Sequence, residues 1–85
     1  MRLNEFGREY VIPETMIKGF MIEFKQVKEF SDREALEEIR EATSLVLETL
    51  RNEPELMEDK EYENDFIKAH AMRQALANYG ILYDA

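Results

Sequence analysis

The stretch that decides the fold begins Ser31-Asp32-Arg33-Glu34 and runs through Leu36, Ile39, Thr43, Val46 and Leu50 to Asn52-Glu53-Pro54. Its first four residues have the form of a capping box, in which a serine hydroxyl and a glutamate carboxylate satisfy amides left unpaired at a helix start. The residues that follow recur at helical spacing, and Glu37, Glu38, Glu41 and Glu48 take the other side. Asn52 and Pro54 close the pattern, because proline disfavours helical geometry in the residue before it. The spacing predicts an amphipathic helix over about residues 32–51.

Downstream, every charged residue from Glu53 to Asp65 except Lys60 is acidic. Acids suit the positive end of a helix dipole, so a second helix is expected to start within this segment. Tyr79-Gly80-Ile81 reads as its stop, with Gly80 left-handed and Ile81 folded back toward Leu76. The predicted range is about residues 60–79. This helix has two apolar sides, one carrying Tyr62, Phe66, Ala69 and Leu76, the other Ile67, Ala71, Ala75 and Tyr79 with Met72 at its margin. A helix apolar on two sides is either central in its own fold or shared with a partner. Both readings stay open at this point.

Upstream, Met16, Ile17, Phe20, Phe24 and Val27 share one helical face, and Pro13 is acceptable in a first turn. Gly19 and the β-branched Ile17, Ile22 and Val27 weigh against a helix. The preferred fold is therefore mainly α, a single domain over residues 1–85 with three helices at about 14–29, 32–51 and 60–79. The alternative is α+β: an N-terminal β-hairpin of residues 9–12 and 20–26 packed on two antiparallel helices. Its alternation, Phe20, Ile22, Phe24, breaks down at Gln26.

Composition excludes several functions. Eleven Lys and Arg against 19 Asp and Glu give a net charge of −8, the wrong sign for direct binding to nucleic acid or anionic lipid. There is no cysteine, hence no disulfide, thiolate zinc site or cysteine nucleophile. Apolar runs such as Phe20-Met21-Ile22 stop at three residues, far below the ~20 needed to span a bilayer. Met1-Arg2-Leu3-Asn4-Glu5 lacks the apolar core of a secretory signal. The expectation is a cytoplasmic protein with no membrane association, metal or cofactor.

The chemistry-bearing residues do not assemble into a reaction centre. His70 is the sole histidine and is preceded by Phe66 and Ile67 rather than a glutamate at helical spacing. It reads as a lone surface histidine. The series Asp59, Glu61, Glu63, Asp65 alternates like a calcium loop, but the glycine and bidentate acid such a loop requires fall at Asn64 and His70. Gly7, Gly19 and Gly80 are too dispersed to cradle phosphate. No enzyme is expected.

What remains is a non-enzymatic interaction or regulatory module that binds another protein. It is expected to be a homo-oligomer, a dimer in the first instance, because symmetric association is the common use of a surplus apolar face. The contact candidates are Met72, Arg73, Tyr79 and Tyr83. Two alternatives accompany it. Glu58, Asp59, Glu61 and Glu63 could form an acidic decoy that occupies the nucleic-acid-binding site of a host protein, in the manner of phage or plasmid accessory proteins. Or Arg73 and tyrosines could hold a small anionic ligand between subunits.

Overall fold

A computed structural model describes residues 1–30 and 33–79. Two strands precede the helices: β1 (Arg2–Glu5) and β2 (Arg8–Val11) pair antiparallel, with Leu3 opposite Tyr10 and Glu5 opposite Arg8. They are followed by α1 (Glu14–Phe30), α2 (Arg33–Asn52), a short 3-10 turn over Pro54–Glu58, and α3 (Lys60–Asn78). All three helices thus lie where the periodicity places them. A hairpin coexists with them, as in the alternative architecture; one strand falls where residues 9–12 are expected, but its partner does not. Residues 20–26 belong to α1, and the partner of residues 8–11 is the segment before it. Ile22, which a strand would turn inward with Phe20 and Phe24, is 65% exposed.

The hairpin turn is Phe6-Gly7, with φ of 54° and 72°. Positive φ at both central residues is the turn that matches strand twist, normally supplied by Asn-Gly or Asp-Gly. Phenylalanine in this region costs ~1–2 kcal/mol. The ring recovers a similar amount by packing edge-on against Phe66, with centroids 5.5 Å apart, a geometry worth ~0.5–1.5 kcal/mol beyond the area it buries.

The α3 helix lies at the centre. Phe66 and Ala69 join Tyr10, Leu47, Leu50 and Met57 in one cluster beneath the hairpin and the 3-10 turn. One to three turns beyond Phe66, Ala71, Ala75 and Leu76 join Ile12, Ile17, Phe24 and Leu36 in a second. Both apolar sides of α3 therefore meet other parts of the chain: α2, the hairpin and the 3-10 turn gather around Phe66, and α1 with Ile12 and Leu36 around Ala71, Ala75 and Leu76. Most of the surplus that suggested a second copy is absorbed inside the chain, although Tyr62 stays exposed. Small side chains allow this: Ala71 and Ala75 are fully buried, and alanine lets neighbouring helices approach closely.

Polar contacts fasten the ends. The Asp59 carboxylate accepts a hydrogen bond from the Glu61 amide at 2.9 Å and caps α3. The Tyr79 hydroxyl donates to the Met21 carbonyl at 2.7 Å, tying the end of α3 to α1. Glu5 on β1 is paired with Arg51 in the last turn of α2. The Ser31-Asp32 start of the capping box, the Gly80-Ile81 stop and the candidate contact Tyr83 lie outside the described residues.

Two glycines give a paired test. A Cβ added at Gly7 or at Gly19 meets no atom within 4 Å, so backbone preference alone sets the outcome. Gly7→Ala is expected to destabilise by about 1 kcal/mol because its φ is left-handed. Gly19→Ala, inside α1, is expected to stabilise by ~0.5–1 kcal/mol. Urea denaturation reads both, and equal signs for the two would contradict the hairpin turn.

Candidate interaction surface

Along α2 the buried residues are Leu36, Thr43, Leu47 and Leu50. The seam therefore passes through Leu47, and Val46, expected in the core, is 39% exposed. Leu45 is 64% exposed and Tyr62, on α3, 41%. These residues are not scattered. Ile39, Ala42 and Val46 of α2 face Lys68, Ala69 and Met72 of α3 across a recess of about 480 Å³. A second recess of about 250 Å³ adjoins it, lined by Leu45, Val46, Thr49 and Leu50 with Tyr62 and Asp65. Val46 and Asp65 border both, so the two form one groove. Earlier α2 residues face later α3 residues, as antiparallel helices require.

The groove has a physical origin in the sequence. Ala42 and Ala69 keep its floor low, whereas the flanking Leu45, Val46, Tyr62 and Met72 are large. Both recesses are lined by α2 and α3 residues alone, with no other described element over this side. A contiguous apolar strip left open on a small protein marks a binding surface more often than a single exposed leucine does.

The candidate residues from the sequence separate in space. Met72 lines the groove. Arg73, its neighbour, turns instead into a recess of about 230 Å³ with Met1, His70, Gln74 and Ala77. Tyr79 is half-buried and its hydroxyl is engaged by α1. Glu58, Asp59 and Glu61 are exposed, while Glu63 is half-buried. Glu61 and Glu63 are two residues apart on a helix, roughly 200° around its axis, and Asp59 is occupied as a cap. The four acids do not form one continuous face.

His70 departs from its expected place. Its side chain is only 11% exposed, not a surface group. Its ring stands edge-on to Phe66 at 4.6 Å. Its Nε2 is buried without a hydrogen-bond partner, 3.7 Å from the Glu5 carboxylate. Glu5 comes from β1, Arg51 from α2 and His70 from α3, so the cluster joins three elements that are distant in sequence. No spacing rule could have found it. Burial holds the imidazole below its ordinary value of 6.5, with Arg51 and Arg73 acting in the same direction and Glu5 opposing them.

Among the described residues, no group of three or more His, Cys, Asp or Glu side chains is placed to hold a metal ion. No helix among the described residues is long and apolar enough to cross a membrane. Comparisons with protein-family models, with curated proteins and with solved structures find no match.

His70 makes stability pH-dependent in a defined direction. A histidine whose folded pKa lies below its unfolded one takes up its proton more readily in the unfolded chain, so stability falls as pH drops through 6.5 and levels off below the folded value. Urea denaturation at pH 7 and pH 5 is expected to show this loss, and His70→Gln to reduce it. An unchanged difference between the two pH values in the variant would contradict the assignment. The comparison stops at pH 5, because Glu14, whose carboxyl is held below its usual range by the Met1 amino group, titrates at lower pH.

Proposed function

We propose that this protein is a non-enzymatic interaction module that binds a partner protein through the groove between α2 and α3. The single observation that carries the reading is the contiguous apolar strip of Leu45, Val46, Tyr62 and Met72, open along one side of the α2/α3 seam. Interface cores are enriched in tyrosine, methionine and other large apolar side chains, and methionine adapts its shape to a partner. Of the residues named from sequence, Met72 keeps its place in this reading. The two-sided α3 no longer argues for a second copy, and the case for association moves to the groove.

The placement of His70 favours a binding role over catalysis. It is the one histidine, and it contacts Glu5 and Phe66 beneath the hairpin rather than lining the groove. A general base needs both an orienting group and a substrate proton within reach; the His70 Nε2 is buried and lies 3.7 Å from the Glu5 carboxylate without a hydrogen bond.

Two substitutions separate surface from core. Leu45→Ser is expected to change stability by less than about 0.5 kcal/mol, as exposed positions do, whereas Leu47→Ala, at the buried position two residues on, should cost about 3 kcal/mol. With stability thus unaffected at position 45, a photo-crosslinking amino acid placed there is expected to trap a discrete heavier adduct in the cells that produce the protein. Position 22 is the control, because Ile22 is exposed to the same degree on α1. Equal labelling at both positions, or none at 45, would contradict the proposal.

A further inference from the structure

We infer that the occupant of the α2/α3 groove is an amphipathic helix with basic flanks, contributed by a different protein and not by a second copy of this chain. The inference rests on the proposed binding role of the groove and adds the chemistry of what fills it. Dimensions come first. From Ile39 to Leu50 the groove follows α2 for eleven residue steps, ~16 Å at 1.5 Å per residue, which matches about three turns of a docked helix. An antiparallel helix pair with a low alanine floor takes a third helix by its apolar stripe, read as anchors at i, i+3 or i+4, and i+7.

Charge then selects among helices. On the α2 side, exposed Glu38 precedes Ala42 by one turn, and Glu41 and Glu48 flank Leu45. On the α3 side, Asp65 borders both recesses and exposed Glu61 precedes it by one turn. The bases nearby are Lys68 and a half-buried Arg40. An apolar floor between acidic rims favours lysine or arginine beside the apolar stripe of the occupant, and these also steer its approach. A second copy is disfavoured by the same rims. Joining two grooves face to face would oppose acid with acid between chains that each carry −8, and like charges across an interface are strongly unfavourable.

The test is a displayed library of 15-residue helices with leucine fixed at i, i+4, i+7 and i+11, and with the flanking positions varied among Lys, Gln and Glu. Selection is run on the intact protein and on the Leu45→Ser/Val46→Ser double variant. Lysine is expected to be enriched at least tenfold over glutamate at positions flanking the stripe on the intact protein. The double variant should lose the enrichment, since it keeps every acidic rim residue and removes only the apolar anchors. Enrichment of Gln or Glu, or no enrichment, would overturn the inference. Equal lysine enrichment on the double variant would overturn it too, by showing attraction to an acidic protein rather than to this groove. So would a concentration-dependent dimer, seen by sedimentation, that the double substitution abolishes. A crosslinked adduct at position 45 together with a failed selection would leave the groove as a binding surface and dismiss the basic helix.

Discussion

Phe66 holds the structure together. It is fully buried, it meets Phe6 and Tyr10 from the hairpin and His70 one turn away, and it shares a cluster with Leu47, Leu50 and Met57. A chain this short buries a modest share of its surface, so one large side chain that serves four elements at once carries unusual weight. The constraint it sets is topological. For Phe66 and Leu76 to be enclosed together, α3 must run through the middle, and α1, α2 and the hairpin must wrap it.

That central placement determines what is left outside. With the hairpin, the 3-10 turn and α2 gathered around Phe66, and α1 and α2 around Ala71 to Leu76, the outer edge of the α2/α3 seam receives no further described element. Leu45, Val46 and Tyr62 remain at the surface there because the three-element wrap ends before reaching them. The groove is thus a by-product of covering α3 with so few residues. Its acidic rims follow from the glutamates that solubilise the far side of α2.

The second and third helices are legible in the sequence, through the periodicity and Pro54 for α2 and the stop near Tyr79 for α3. The α1 helix is preferred over a strand only because helical spacing accounts for more of its apolar residues. Two parts are not legible. The first strand and its turn escape because the turn is Phe6-Gly7 rather than Asn-Gly, and the left-handed phenylalanine is offset by its contact with Phe66, a tertiary fact. The seam of α2 is displaced from Val46 to Leu47 because the two are adjacent and similarly apolar, so only the position of α3 decides which turns inward. The same limit applies to the binding surface. Met72 stands out in the sequence as the margin of a surplus apolar side of α3, whereas its place in the structure comes from the groove with α2. Leu45, Val46 and Tyr62 become visible only once α2 and α3 are laid side by side. His70 reads as a surface group because Glu5 and Arg51, which meet it in space, are far away in sequence.

Native-state hydrogen exchange addresses the central placement of α3 most directly. If one chain covers both sides of that helix, amides from Phe66 to Leu76 exchange only through global unfolding, at rates that do not change when the protein is diluted. Protection of those amides that fades on dilution would mean that another molecule covers α3, and contradict its enclosure by α1, α2 and the hairpin.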